Sequence, residues 1–293
     1  MEYRHFGNTG LKVSALGFGA GHIGSPEMEE KAVECLLNQV LDLGINLIDT
    51  ARSYGLSETR IGRYLSYRRS SVILSTKVGY TYRDKPDWSY DATLGTVEES
   101  LSVLKTDYLD IVHLHSCDKI FLEQGEAIAA LEKARQQGKI RVIAYSGENE
   151  ALSFAIGSGR FGSIQCSLNI FDQRGMNDQL PIAAAQGMGI IAKRPLANAV
   201  WRYRERPEGH GHAAYWDRMH QMDLKTEGLD LAELSMRFSA YNSGVSACIA
   251  GTLSIGHLKE NMKALEKGPL PPGLLNYLHS EFLKHGRDWD GLI

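Results

Sequence analysis

Short apolar runs recur along the chain at near-regular intervals: SALGF (14–18), INLID (45–49), SVILST (71–76), YLDIVHLH (108–115), KIRVIAYS (139–146), GSIQCS (162–167), MGIIAK (188–193) and GVSACIAG (244–251). Each is short and rich in β-branched residues, as strands are. Between them the period changes to that of a helix, over 27–43, 57–67, 92–104, 121–137, 149–158, 175–186, 228–240 and 255–266. In MEEKAVECLLNQVLDLG the stripe is Val33, Leu36, Leu37, Val40 and Leu43, and Gly44 supplies a stop. Ser25 and Pro26 suit the N-cap and first position of that helix. The helix at 121–137 ends at Gly138. Ahead of the first run, EYRHF, the turn GNTG and LKVSALGFG predict a β-hairpin.

Eight strand–helix units predict parallel strands joined by helical crossovers, closed into a (β/α)8 TIM barrel with no free edge. A doubly wound open sheet is the rival, with fewer strands and one ligand crevice. No linker or low-complexity segment divides residues 1–293, so a single barrel domain is expected. One long loop follows strand seven, residues 197–227, and is expected to act as a lid carrying its own short helix.

Composition narrows the functional classes. The 293 residues are 43% hydrophobic and 23% charged, with a net charge of −3, which suits a globular chain and neither nucleic-acid nor anionic-membrane binding. No apolar run reaches the ~20 residues of a membrane span, and MEYRHFGNTG does not resemble a signal peptide. Cys35, Cys117, Cys166 and Cys248 are scattered without a CxxC pair. They read as reduced thiols of a cytoplasmic protein, Cys117 more readily as filler than as a reactive group.

Barrel chemistry collects at the C-terminal strand ends. There the chain carries Asp49 at the end of strand two with Tyr54 in the following loop, Lys77 ending strand three, and His113 and His115 on strand four. An ammonium beside a phenol favours the phenolate, and an aspartate beside the lysine anchors its charge. A histidine can orient a substrate oxygen or pass protons. Such a set is a proton donor for a carbonyl becoming an alkoxide. The matching hydride must come from a nicotinamide, since no side chain delivers one.

These residues, with LKVSALGFGA, GINLIDTARSYGLSETRIG, ILSTKVG, LKTDYLDIVHLHS, KIRVIAYSG, SIQCSLNIFD and IAGTLSIGHLKEN in order, resemble the aldo-keto reductase family along nearly the whole chain. The resemblance implies Tyr54 as general acid, tuned by Lys77 and Asp49, and His115 in preference to His113. Alternation alone leaves the two histidines on one face without choosing between them. It also implies a cofactor site. Ser146 and Gln165 would meet the nicotinamide, and Gly251, Thr252, Leu253, His257, Glu260 and Asn261 the adenosine-phosphate end, where a helix N-terminus suits phosphate. Gly147 stands where family members often have Asn. Lys193, Arg194, Pro195 and Leu196 replace a pattern whose Tyr stacks on the nicotinamide, so Lys193 or Arg194 is expected at the ring edge or pyrophosphate, with Leu196 beside them. His257 stands where many members place an Arg on the 2′-phosphate. NADP(H) is the expected cofactor, with NAD(H) open, and a small carbonyl compound the expected substrate.

Other motifs carry less. GAGHIG (19–24) matches a dinucleotide fingerprint but does not open a helix, so Gly19 and its neighbours are expected to let the backbone pass close to the cofactor. His210, His212 and His220 lack carboxylate or thiolate partners at metal spacing and read as loop histidines. WRYRERPEGHGH interleaves arginines and aromatics as nucleic-acid binders do, and reads better as a lid. Tyr80, Tyr82 and Trp88 are candidates for an apolar pocket wall, and RDWDGLI for a pocket edge. Two rival functions stand beside the reductase: a Schiff-base enzyme using Lys77, and a non-catalytic nicotinamide-binding regulatory protein.

Overall fold

The computed structural model describes residues 1–80 and 82–292, and of His210 the backbone alone. The hairpin forms first, from β1 (Tyr3–His5) and β2 (Lys12–Ser14), which pair antiparallel. The chain then alternates: β3 (Leu16–Gly19), α1 (Glu30–Asp42), β4 (Leu47–Asp49), α2 (Ser57–Leu65), β5 (Ile73–Val78), α3 (Tyr90–Leu104), β6 (Leu109–His115), α4 (Lys119–Gln124), α5 (Glu126–Gln136), β7 (Ile140–Ser146), α6 (Asn149–Gly157), β8 (Ser163–Ser167), α7 (Gln179–Ala185) and β9 (Gly189–Lys193). It finishes with α8 (His210–Met222), α9 (Leu231–Ala240), β10 (Ala247–Ala250), α10 (Ile255–Glu266) and α11 (Pro272–His285). Strands β3 to β10 are parallel neighbours in chain order, and β10 pairs with β3 to close the barrel. The expected TIM barrel and hairpin are both present.

Two apolar layers hold it. One lies between the strands and the outer helices and includes Leu37, Val40, Leu74, Val112, Ile143, Ile164 and Leu234. The other fills the barrel interior with Leu47, Ile111, Val142, Ala144, Ile191, Ala247 and Ile249. The hairpin plugs the N-terminal end of that interior with Phe6, Leu11 and Val13, all buried. Side chains alternate in and out along each strand. The inward row therefore runs from apolar at the plugged end to polar at the mouth: Leu47 then Asp49, Ile73 then Ser75 and Lys77, Ile111 then His113 and His115.

Several boundaries differ from the sequence expectation. Helix α1 starts at Glu30, and Ser25 is not its N-cap; the Ser25 hydroxyl accepts from the Glu27 N–H. The reason is Arg60, whose guanidinium takes the carbonyls of Ile23 (2.6 Å), Ser25 (2.6 Å) and Met28 (2.9 Å) and holds the approach to α1 as irregular chain. The segment 121–137 is two helices, because Gly125 adopts a left-handed conformation (φ 78°) between α4 and α5. Of 175–186 only α7 is α-helical, with a 3-10 turn at Arg174–Met176 before it. Helix α9 is capped by Asp230, whose carboxylate accepts from the Glu233 N–H. The loop after β9 carries a 3-10 segment (Ala197–Arg202) and the thirteen-residue α8. Helix α11 lies beyond the eight predicted units. Among the described residues no helix is long and apolar enough to cross a membrane.

Candidate active site

Asp49 pairs in register with Ser75, so Lys77 stands two residues further up β5 and folds back. Its Nζ donates to Asp49 Oδ2 (2.6 Å) and to the Thr50 carbonyl (2.8 Å), and stands 5.0 Å from the centroid of the Tyr54 ring. Both members of the ion pair are buried. Burial works most strongly against the Lys77 ammonium, but the Asp49 charge and hydrogen bond, with Tyr54 adding to them, together outweigh it and hold the lysine above its ordinary value. Burial likewise pushes Asp49 up, and the Lys77 charge, with hydrogen bonds from Lys77 and Gln165, carries it below the usual carboxylate range. Asp49 Oδ1 accepts from Ser75 Oγ (2.8 Å) and Gln165 Nε2 (2.9 Å), so the carboxylate is fully engaged.

Tyr54 is placed by its loop. Tyr54 N–H donates to the Ala51 carbonyl (3.0 Å), and Leu56 N–H to the Gly24 carbonyl (3.0 Å). A Cβ on Gly24 would meet the Tyr54 carbonyl oxygen at 1.9 Å. Gly21 lies against the Tyr54 ring, 3.7 Å from where its own Cβ would stand. The later glycines of GAGHIG therefore bring the β3 loop against the tyrosine loop, and Gly19, which packs against the Gly251 backbone, lines the mouth.

The two histidines part company. His113 is wholly buried below the site, its Nε2 3.0 Å from Ser75 Oγ. His115 reaches the cavity, with its ring edge-on to Tyr54 at 5.9 Å. Burial, with the Lys77 charge adding to it, lowers His115 to about 3; burial lowers His113 to about 3 as well, against the pull of Asp49. Both imidazoles are neutral at physiological pH. Tyr80 stacks on His115 (5.2 Å, 22°), with its hydroxyl 2.6 Å from Nδ1.

A cavity of about 500 Å³ opens over this cluster and is lined by Asp49, Tyr54, Lys77, His115, Ser146 and Gln165. A second, of about 570 Å³, is lined by Thr252, Leu253, Ser254, His257, Glu260 and Asn261. Both are bordered by His22, Leu196, Ala199, Arg202, Ala250 and Gly251, so they join into one groove ending at α10. Ser254 caps α10 by accepting the His257 N–H, and His257 Nδ1 lies 3.1 Å from Thr252 Oγ1. The groove is long, amide-lined at one end and helix-terminated at the other, which fits a dinucleotide. Its wall includes Asn198 and Ala199, which with the buried Ala197 before them form three successive left-handed residues (φ 44°, 56° and 52° from Ala197 to Ala199), a conformation costing roughly 1–2 kcal/mol per non-glycine residue. Strain of this kind collects at ligand-binding loops.

Other candidates find different neighbours. Ser146 Oγ donates to Gln165 Oε1 (2.9 Å), making the two a strut behind Asp49 as well as cavity wall. Lys193 and Arg194 line the cavity, but Lys193 pairs with Glu148 (3.1 Å) and Arg194 donates to Ser167 Oγ (3.1 Å) and to the Leu292 carbonyl. Of RDWDGLI, Asp288, Trp289, Asp290, Gly291 and Leu292 edge a separate surface groove with Asn149 and Arg218 rather than the site cavity, and Ile293 lies outside the described residues. Tyr82 packs against Gly95 and Trp88 against Phe121, and neither lines the cavity. His212 lines it, edge-on to Tyr203, while the side chain of His210 lies outside the described residues. Buried Cys117 is pushed up to about 12 by burial and then by Asp118, which makes it an unreactive thiol. Ser75, Gln165 as a partner of Asp49, and Tyr80 as a partner of His115 are the roles the sequence did not show. For Ser75 the signal was its place two residues below Lys77 on the same face.

The chain matches the model of the Aldo/keto reductase family over residues 15–280. It is 33% identical to an L-galactose dehydrogenase of Arabidopsis thaliana, covering 90% of this chain and 88% of that protein. It is 29% identical to a probable voltage-gated potassium channel subunit beta of Oryza sativa subsp. japonica, covering 92% and 93%. Among solved structures, the holo form of an aldo-keto reductase from Bacillus halodurans superposes with a TM-score of 0.83 at 31% identity, over 96% of each chain. With the barrel, the buried Asp49–Lys77 pair and the tyrosine beside it, these matches place the chain in the aldo/keto reductase family.

Proposed function

We propose that the protein interconverts an aldehyde or ketone and its alcohol using a nicotinamide dinucleotide, with Tyr54 passing the proton. The observation that carries this is the buried Lys77 ammonium, held by Asp49 and the Thr50 carbonyl, with its Nζ 5.0 Å from the centroid of the Tyr54 ring. A bound nicotinamide would supply the hydride in reduction, or receive it in oxidation. In reduction the Tyr54 hydroxyl donates its proton to the alkoxide, and Lys77 stabilises the phenolate left behind. In oxidation the same phenolate accepts the alcohol proton. His115, neutral, supplies a hydrogen bond to the substrate oxygen. The relative named L-galactose dehydrogenase makes sugar oxidation the first direction to assay.

For the cofactor, Ser146 and Gln165 would hold the carboxamide, and His257, Glu260 and Asn261 the adenosine end. NADP(H) is the expected form from the family resemblance. Glu260 in the same wall repels a 2′-phosphate while His257 binds it only weakly when neutral, so the preference over NAD(H) is expected to be narrow. The Schiff-base alternative fits poorly, since Lys77 is held as an ammonium without a lone pair. A nicotinamide-binding regulatory role remains the rival, and the relative named as a channel subunit gives reason to test it.

The test is Tyr54→Phe, assayed with NADPH and NADH fluorescence titrations and a panel of sugars and simple carbonyls in both directions. Expected is a loss of roughly 10²–10⁴ in kcat with unchanged cofactor affinity. Equal turnover by variant and wild type sinks the mechanism. Cofactor binding without turnover by either favours the regulatory role.

A further inference from the structure

Resting on that reading of the site, we infer that Tyr80 is a positioning residue: it locks His115 in the tautomer whose Nε2–H serves the substrate oxygen. A neutral imidazole has one donor and one acceptor nitrogen, and only its partners decide which is which. Nδ1 of His115 lies 2.6 Å from the Tyr80 hydroxyl. That hydroxyl has a second neighbour, Ser53 Oγ, at 3.4 Å, and its 2.6 Å separation from Nδ1 suits an O–H donor and is shorter than the roughly 2.7–3.2 Å of an N–H donor, so its one proton goes to Nδ1 and its oxygen is left to accept. The chain of bonds then runs one way: Ser53 donates to Tyr80, and Tyr80 donates to His115 Nδ1. Nδ1 becomes the acceptor, and the proton resides on Nε2, the nitrogen left for the cavity that His115 lines.

Packing holds the arrangement. Tyr80 is clasped between the His115 ring, stacked at 5.2 Å, and the Trp88 ring, edge-on at 5.8 Å. Trp88 in turn stacks toward Phe121 (5.0 Å) and donates its backbone N–H to the Gly79 carbonyl (2.5 Å), which fixes the residue preceding Tyr80. Ser53 is adjacent in sequence to Tyr54. The loop that carries the proton donor therefore also starts the relay that orients the hydrogen-bond donor beside it.

The direct test is long-range ¹⁵N–¹H correlation NMR of ¹⁵N-histidine-labelled full-length chain, with His115 assigned by its loss in His115→Gln. Wild type is expected to show the Nε2–H tautomer. Tyr80→Phe keeps both ring contacts and removes the hydroxyl. It is expected to show a tautomer mixture, and kcat/KM about tenfold lower with unchanged cofactor affinity, in keeping with loss of one orienting hydrogen bond. An Nδ1–H tautomer in wild type overturns the proposal. So does an unchanged tautomer in Tyr80→Phe, or a changed tautomer with unchanged turnover. Should Tyr80→Phe not fold, the wild-type tautomer alone decides. The NMR readout needs neither cofactor nor turnover, so the tautomer assignment stands or falls separately from the proposed reaction.

Discussion

Lys77 donates to Asp49 and to the Thr50 carbonyl and stands beside the Tyr54 ring. Its position at the end of an apolar run was readable from the chain; its partners were not, because register puts it beside His113 and only its length returns it to Asp49. Removing it strands a buried carboxylate. Lys77→Met is therefore expected to lower unfolding free energy by about 3–5 kcal/mol, the usual result of breaking a buried pair from one side. Adding Asp49→Asn should recover much of that loss, because the uncompensated charge goes with it. Urea denaturation of wild type, both single variants and the double variant measures the coupling, and simple additivity would show that the pair is not a unit.

Among elements, the strands announced themselves because each is a short β-branched run flanked by helical periodicity. The failures were tertiary. Ser25 has the chemistry of an N-cap, yet Arg60, 35 positions away, takes the carbonyls around it and delays α1. Gly125 sits inside a continuous helical stripe, and only its left-handed backbone reveals the break. Helix α11 carries Leu274, Leu278 and Phe282 at helical spacing but follows the eighth unit, where the barrel pattern supplies no expectation. The site shows the same division. The Asp, Tyr, Lys and His positions were visible at strand ends, while Gln165 bonding to Asp49 spans 116 residues and has no local signature. One close helix contact permits a test at this scale. A Cβ on Gly62 of α2 would stand 2.0 Å from the Val103 carbonyl oxygen on α3. Gly62→Ala is expected to cost about 1–3 kcal/mol by overpacking while leaving kcat per folded molecule unchanged. Thermal melts together with active-site-normalised rates check both halves, and a changed kcat would mean that α2 and α3 position the site directly.

For the molecule as a whole, buried titratable groups set how stability follows pH. His113 and His115 are lowered to about 3 in the fold, against an ordinary value of 6.5. Between those limits the unfolded chain binds more protons, so their contribution is complete above pH 6.5 and declines as pH falls, by about 2 kcal/mol for each at pH 5. Asp172 acts in the opposite sense: burial and the Glu148 charge raise it to about 7, so the fold gains from it as pH drops below 7. The clean measurement is therefore a difference. Between pH 7 and 5, His113→Asn should lose about 2 kcal/mol less stability than wild type, after correction for its baseline at pH 7. Parallel curves for the two proteins would mean that His113 titrates normally in the fold.

Closure of the barrel by β3 against β10 has a consequence in time. During synthesis, residues 16–19 emerge early and pair with β4 on one side, but their other edge waits until residues 247–250 have been made. Pairing over such a span is slow, and the waiting edge is exposed to other chains. Asp49 and Lys77 belong to the early half and Gln165 to a later strand, so the nascent site holds its ion pair before the amide that completes it arrives. Conditions that stall translation after β6 would leave that charged pair at an open sheet's end, the state in which this chain is most exposed to aggregation or proteolysis.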